Sequence, residues 1–251
     1  MNHLFLKNIT LKIVLINLIL GSITNIYSQK TYKVTYYILE PKLFGSIDNL
    51  DEKGKQFSEE IFERAKSINY ILITNKLESY FEAENNLSQK NDSPYEQVLV
   101  RMAKRFTSFN EMIYSNHKND SIIFVKNLVN KDFIVKRGNY NFNWTLKNET
   151  KQILGFEAKK AEGLYYYPIT NEELKVEAWY IPTIPLKSGP DIFIGLPGLI
   201  VELNLKGAVV TVKMIETIDD IKIKKIDDSK SITQQEYDDL IKSLTKKYIE
   251  N

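Results

Sequence analysis

The chain of 251 residues contains no cysteine. This absence excludes a disulfide framework, a thiolate zinc site, a cysteine nucleophile and a lipid attached through a thiol. Histidine is nearly absent as well, because His3 and His117 are the only two in the sequence. One or two imidazoles are too few for an ordinary zinc site. We therefore predict that the protein binds no metal ion and no cofactor.

The sequence also lacks an excess of charge of either sign. It has 34 basic and 32 acidic residues. Lys7 and Lys12 are the only charged residues among the first 28, so residues 29–251 carry equal numbers of the two signs. Nucleic-acid-binding surfaces are typically basic. We predict no nucleic-acid partner.

Long hydrophobic runs are missing too. The longest apolar stretch, Ile13–Ile23, is interrupted by Asn17 and is shorter than the ~20 residues that a membrane-spanning helix needs. Lysines precede this stretch and the small residue Ser28 follows it, which is typical of a cleaved signal peptide. We predict a signal peptide over residues 1–28, cleavage near Ser28, and a mature chain in the periplasm or at the outer-membrane periphery that does not span a membrane. The alternative is an uncleaved anchor.

No catalytic signature stands out. The sequence has no G-x-S-x-G elbow, and no serine and carboxylate are visibly arranged around His117, as a Ser-His-Asp triad would require. Carboxylates from different strands could still meet in space as a glycosidase pair, and four candidates lie on strands or at their ends: Glu157, Glu162, Glu173 and Glu177. Such side chains more often face solvent. We assign no catalytic residue and keep an envelope hydrolase using carboxylates or His117 as an alternative.

What the sequence does contain is alternation of apolar and polar residues, which predicts strands. The main predicted strands are 30–39, 140–146, 150–161 and 174–181. An amphipathic helix is predicted over 55–68, a second from Ser93, and a third from Thr233, where Thr233 and Glu236 form a capping box. Short turns between strands favour antiparallel pairing. We predict an α+β, mainly β fold in which residues 29–251 form one domain: a curved antiparallel sheet or half-closed barrel with two or three packed helices.

The most distinctive stretch is Gly195-Leu196-Pro197-Gly198-Leu199-Ile200. Proline fixes φ near −65°, and glycine tolerates φ > 0. Pro197 followed by Gly198 therefore predicts a type II turn. Because the flanking residues are apolar, the turn is either a buried corner or a contact surface.

Apolar and polar residues alternate after this turn, and Lys206-Gly207 then predicts the two-residue turn of a hairpin. The expected facing pairs are all apolar: Leu205–Ala208, Leu203–Val210, Val201–Val212 and Leu199–Met214.

The hexapeptide, preceded by Ser188–Ile194, resembles the signature of the GLPGLI family. Two other segments resemble the family's central strand (153–161) and its tryptophan strand with a proline exit (178–185). Ala158 departs from the pattern, because many members carry cysteine there. The resemblance implies an exported β-rich protein of Gram-negative bacteria, mainly Bacteroidetes, without an established activity. A similarity to periplasmic lipoprotein carriers rests only on strand order and length.

An aromatic surface beside the hexapeptide is the predicted binding site, with Trp179, Phe193 and Leu196 as its residues. If this face of the sheet is uncovered, it suits an apolar ligand or an extended peptide. The competing interpretation is that these side chains complete a core. We predict an accessory or binding protein for an apolar ligand, a peptide or an outer-membrane partner. A purely structural envelope component is a further alternative.

Overall fold

The fold is described from a computed structural model. The described residues are 30–42, 49–84, 93–106, 109, 112–128, 131–167, 172–205, 207–219 and 221–249. The predicted signal peptide over residues 1–28 lies outside them. The twelve described strands are β1 (Thr31–Pro41), β2 (Asn69–Thr74), β3 (Glu78–Ala83), β4 (Met112–Asn116), β5 (Ser121–Leu128), β6 (Lys131–Gly138), β7 (Thr145–Ile153), β8 (Phe156–Tyr167), β9 (Glu172–Ile181), β10 (Leu199–Asn204), β11 (Ala208–Ile218) and β12 (Ile232–Thr233). The described helices are α1 (Glu52–Lys66), α2 (Pro94–Phe106) and α3 (Gln234–Ile249).

All twelve strands form a single open sheet, in the order β12-β6-β5-β4-β3-β2-β1-β11-β10-β9-β8-β7. Strands β1 to β6 make one meander and β7 to β11 make another, and the two are joined where β11 pairs with β1. Every pairing is antiparallel except the two-residue contact of β12 with β6. The sheet is curved and does not close into a barrel. The predicted α+β, mainly β class with three helices is confirmed.

The inner face of the sheet can be followed across the strands, because directly opposed residues share a face. The ladder connects Ile38 to Val210, then to Leu203, Ala178, Ala161 and finally Leu146. All of these are buried except Leu146, which lies on the last strand and is 54% exposed. This face carries the main core.

The helices add their apolar stripes to that core. Ile61 and Ala65 of α1, Leu99 of α2 and Tyr237 of α3 are buried in the same cluster as Tyr36. The predicted caps are confirmed: the Glu96 amide donates to Ser93 Oγ (3.2 Å), and Thr233 and Glu236 exchange the two hydrogen bonds of a capping box. Helix α1 begins three residues before the predicted start, because Asp51 accepts from the Gly54 amide.

The outer face of the first meander is covered by the extended segment 221–231. Ile223 packs on Tyr80, Tyr114 and Ile123, which lie on the opposite face from the main core. Lys224 lies 4.9 Å above the ring of Tyr80. This segment carries the chain from β11, near the middle of the sheet, to β12 at its edge.

Two predicted strands have different boundaries in the structure. The range 140–146 is not a strand until Thr145, and its aromatic alternation comes from packing against the core rather than from a ladder. The range 150–161 is split between β7 and β8 by a turn at Leu154 and Gly155, both with positive φ (51° and 80°). A leucine at such a position gives no turn signal, which is why the sequence pattern missed it.

The predicted β10–β11 hairpin forms, but its register is only partly as expected. Leu203 pairs with Val210, and the Leu205 amide donates to the Ala208 carbonyl (2.8 Å). The predicted pairs Val201–Val212 and Leu199–Met214 are wrong, since the ladder of β10 with β11 runs only from Asn204–Val209 to Glu202–Thr211, and Met214 is 43% exposed. On its other side β10 pairs with β9 from Leu199 to Asn204, with a register shift between Ile200 and Glu202.

Candidate functional site

The loop 182–198, which leads into the hexapeptide, fills part of the core instead of lying on the surface. Its aliphatic and aromatic side chains are at most 6% exposed: Ile184, Leu186, Ile192, Phe193, Ile194 and Leu196. The loop is fastened to its own exit strand, because the amides of Leu199 and Ile200 donate to the carbonyls of Ile184 and Ser188 (both 2.9 Å). The hexapeptide is thus the end of a loop that buries its aliphatic and aromatic side chains, while Gly195 and Pro197 are exposed.

The two glycines of the hexapeptide serve different purposes. Gly195 has φ +97°, which favours glycine. Gly198 does not have positive φ, so the predicted type II turn with Gly198 at its third position is wrong. A Cβ atom at Gly198 would instead lie 2.3 Å from the Ile181 carbonyl oxygen. Gly198 is therefore required for the close approach of β10 to the end of β9.

An aromatic cluster holds the loop 182–198 in place. Phe142 stacks on Phe193 with ring centroids 5.0 Å apart, and Tyr165 meets Phe193 edge-on at 5.9 Å. The indole Nε1 of Trp144 donates to the Ile194 carbonyl (2.9 Å). The segment 139–144 therefore contacts the loop through its alternating aromatic residues.

The structure separates the predicted binding residues. Phe193 packs on Tyr165, which shares the inner face of β8 with Ala161, and Leu196 is fully buried. Trp179 follows Ala178 along β9 and so lies on the outer face, although it belongs to the same buried cluster as Phe193 and Leu196. A binding role for these residues stays a prediction, and their geometry does not form one joint groove.

Trp179 is covered by charged side chains rather than by a helix of the described chain. The Lys151 ammonium lies 4.3 Å from the centre of its ring, and the indole Nε1 donates to Glu177 (3.2 Å). Lys151 also forms an ion pair of 2.6 Å with Glu202. Trp179 is 9% exposed beneath this cover.

Two of the four strand carboxylates considered as catalytic groups, Glu162 and Glu177, form ion pairs on the same outer face as Trp179. Lys160 pairs with Glu177 (2.7 Å) and Lys147 with Glu162 (2.9 Å). The hydrogen bond from Lys147 lowers the pKa of Glu162, which is the opposite of the change that a general acid needs. Glu157 and Glu173 are exposed.

A polar contact that the sequence did not reveal lies beneath the loop 182–198. Ser188 Oγ is 3.0 Å from His117 Nε2 and 2.7 Å from Thr74 Oγ1. Ser188 and Thr74 are fully buried, whereas His117 is half-buried. Desolvation lowers the pKa of His117. Ser188 and His117 are 71 residues apart, and no local motif connects them.

Chemically, the serine–histidine pair resembles the first two members of a nucleophilic site. The Ser188 hydroxyl is inaccessible, however, and also forms a hydrogen bond with Thr74.

No group of three or more histidine or carboxylate side chains in the described residues could hold a metal ion. None of the helices in the described part is long and apolar enough to cross a membrane.

Comparison with solved structures gives a likeness of fold. The chain is similar to PNGF-II, whose structures in space groups C2 and P21 each match with 20% identity and a TM-score of 0.50. The match covers 84% of this chain and 32% or 33% of those chains. The chain therefore spans about a third of the PNGF-II chain.

At the level of sequence, no curated protein matches the chain. A family model described as "Protein of unknown function (Porph_ging)" matches residues 166–202. The matched range includes strand β9, the loop 182–198 and the complete hexapeptide 195–200.

Proposed function

We propose that this chain is an exported, envelope-associated protein of the GLPGLI family that acts by binding a partner and not by catalysis. The support for this family is the complete hexapeptide, which lies within residues 166–202, the range matched by the model described as "Protein of unknown function (Porph_ging)". The lysines and apolar stretch that precede Ser28 support export to the periplasm or the outer-membrane periphery. The proposed mature chain begins near Gln29.

The observation that carries this proposal is the difference between the two outer surfaces of the sheet. The segment 221–231 covers the outer face of the first meander. The described helices make their main strand contacts with β1, β6 and β12 and not with β7 to β10. Trp179 lies on the outer face of β7 to β10 beneath Lys151. We call this face, from Phe156 to Tyr166 on β8 together with Trp179, the Trp179 face.

The composition of the Trp179 face suits a protein or peptide partner. Phe156, Leu164 and Tyr166 alternate along β8 on that face and are 37–48% exposed. Between them stand the ion pairs of Lys160 with Glu177 and of Lys147 with Glu162. Apolar and aromatic side chains mixed with charged rims are typical of protein interfaces. An apolar small molecule is less well suited, because Phe193 and Leu196 already fill the core.

A photo-crosslinking experiment tests this function. Benzoylphenylalanine replaces Leu164 on the Trp179 face or Asn119 in the exposed β4–β5 turn as a matched control, and the protein is expressed in its own host. We expect a discrete envelope adduct from position 164, absent from position 119 and weakened by Tyr166→Ser. The absence of an adduct, or the same adducts from both positions, would contradict the proposal. Mass spectrometry of the recovered chain checks for an N-terminus near Gln29.

The hydrogen bond between Ser188 and His117 favours one second candidate, an envelope hydrolase. In it His117 Nε2 would take the proton of the Ser188 hydroxyl, which requires the loop 182–198 to open. Turnover of p-nitrophenyl acetate that is lost in both Ser188→Ala and His117→Ala would support a hydrolase. Turnover unchanged in either variant would remove it.

A purely structural envelope component is the remaining alternative. It predicts that Pro197→Ala lowers stability without a separate loss of crosslinking from position 164.

A further inference from the structure

The edge of the sheet formed by β7 points to a second binding surface, which adjoins the Trp179 face at Lys151. Strand β7 is the last strand in the sheet order and pairs on one side with β8, while no described strand pairs with its other side. The opposite edge is different, because β12 is only two residues long and leads directly into α3. A nine-residue open edge is a template for another strand.

The backbone groups available on that edge follow from the turn between β7 and β8. Leu154 and Gly155 form a two-residue turn with positive φ at both positions, so the flanking pair Ile153–Phe156 exchanges hydrogen bonds. Pairs alternate along an antiparallel ladder, and Lys151 therefore bonds to β8 as well. The amide and carbonyl groups of Thr150 and Gln152 consequently point to the open side.

Two leucines at the ends of this edge are unusually placed. Leu146 is 54% exposed and Leu154 is 50% exposed. Leu154 also has φ +51°, a conformation that costs a leucine roughly 1 kcal/mol or more. Single exposed leucines such as Leu77 occur elsewhere on the chain, so the exposure of Leu146 and Leu154 matters only because the pairing described next brings the two together.

We propose that the occupant of this edge is a second copy of the same chain, paired antiparallel through β7 with Thr150 on the two-fold axis. In this register Leu146 of one copy lies opposite Leu154 of the other, and the leucines cover each other twice. Glu149 lies opposite Lys151, also twice. The same strand thus supplies both halves of an apolar contact and both signs of an ion pair, which is the self-complementarity of a two-fold interface.

The side chains have the orientations that this pairing requires. Lys151 contacts Glu202 and Glu149 lies 4.0 Å from Lys160, so both are on the outer face. Leu146 is on the inner face with Ala161, and Thr150 opposes Lys159 with the same orientation. Opposed residues on neighbouring strands share a face, so like faces meet in the dimer.

A bulge in β7 must be accommodated by the dimer. Between Leu146 and Thr150 the strand has two more residues than β8, and bulges commonly discourage edge pairing. With Thr150 on the axis, residues 147–149 of each copy face the regular stretch 151–153 of the other. The two bulges are therefore never opposite each other.

Single cysteines test the register directly, since the chain has no cysteine of its own. In the dimer, the two copies of residue 150 have Cα atoms about 5.5 Å apart, within the range for a disulfide. The two copies of residue 152 are four residues out of register, about 13 Å apart. Under oxidation with copper phenanthroline we expect Thr150→Cys to give a covalent dimer and Gln152→Cys, the matched control, to give little. The pair Asn148→Cys and Gln152→Cys in one chain should crosslink again.

A proline series tests the association without crosslinking. Gln152→Pro removes an amide that points to the open side and so leaves the ladder with β8 intact, a placement that edge strands tolerate. By sedimentation velocity of the mature protein across a concentration series, we expect a reversible dimer for the natural sequence and for Gln152→Ala. A monomer is expected for Gln152→Pro with an unchanged melting temperature. The proposal is overturned if the natural sequence stays monomeric throughout, or if positions 150 and 152 crosslink equally or not at all.

Discussion

Ser188 Oγ lies 3.0 Å from His117 Nε2, across the boundary between the loop 182–198 and the end of β4. With Thr74 Oγ1 at 2.7 Å on its other side, Ser188 is linked to two strand ends at once. If the buried Ser188 hydroxyl lost these partners, its desolvation would no longer be offset by hydrogen bonds and the folded state would be destabilised. The three side chains therefore hold the start of the hexapeptide loop against the sheet.

The environment of His117 predicts how stability depends on pH. Desolvation is the main cause of the lowered pKa, opposed by the charges of Asp120 and Glu78 and reinforced by Lys187. The folded chain therefore binds a proton at His117 less readily than the unfolded chain does. The stability associated with neutral His117 is present above the ordinary pKa of 6.5 and is lost as the pH falls below it towards the pKa of the folded state.

Urea unfolding of the mature chain between pH 8 and pH 5 measures this effect. Below pH 6.5, only one histidine contributes to the change of the unfolding free energy with pH, because His117 is the only histidine after the predicted leader. His117→Gln keeps a hydrogen-bonding side chain but cannot titrate, so its slope should be smaller. Equal slopes for the two proteins in this range would show that His117 is not desolvated.

The glycines of the hexapeptide give a second prediction. At Gly198 an added Cβ would lie 2.3 Å from the Ile181 carbonyl oxygen, a contact with backbone that cannot move away cheaply. At Gly195 the nearest atom would be 3.8 Å away, and the cost is that of positive φ alone. We expect Gly195→Ala to lower the free energy of unfolding by about 1 kcal/mol and Gly198→Ala by about 3 kcal/mol or more. Chemical denaturation of both variants checks the order, which a type II turn at Pro197-Gly198 would not give.

Much of the fold could be predicted from the sequence because its signals are local. The serine cap at Ser93 and the capping box at Thr233 act within four residues. The register of Leu203 with Val210 follows from alternation next to a short turn. These features depend on few neighbours in the chain.

The parts that escaped prediction depend on distant residues. The alternation of Tyr140, Phe142 and Trp144 has the period of a strand, yet these rings pack on a loop some 50 residues later. The approach of Ser188 to His117 exists only once β4 and the loop are assembled. Gly198 is a glycine because of Ile181 on the neighbouring strand, and no turn rule contains that information.

The aromatic cluster gives a third prediction. Phe193 is 4% exposed and packs on Phe142 and Tyr165. Phe193→Ala should lower the free energy of unfolding by about 3–5 kcal/mol, because it removes a buried ring and leaves a cavity. Phe156→Ala is the matched control, since Phe156 is 38% exposed and should cost much less. If thermal unfolding shifted equally in both variants, Phe193 would not belong to the core.

The cover over Trp179 gives the last prediction. Lys151 is paired with Glu202, whose side chain is only 14% exposed. Lys151→Met keeps the aliphatic contact with the indole but leaves the Glu202 carboxylate unpaired. We expect a loss of about 1–2 kcal/mol, less than for a fully buried pair because the Lys151 side chain is 35% exposed.

Adding Glu202→Gln should recover part of that loss, because the neutral amide costs less to leave without a cation. The free energies of unfolding of the two single variants and the double variant are measured with urea in a Trp144→Phe background, where Trp179 is the only remaining tryptophan. Its emission should change in Lys151→Met, since the ammonium lies 4.3 Å from the ring in the natural chain. Strictly additive free energies together with unchanged emission would mean that Lys151 neither pairs with Glu202 nor covers Trp179, and the Trp179 face would then lie open to solvent.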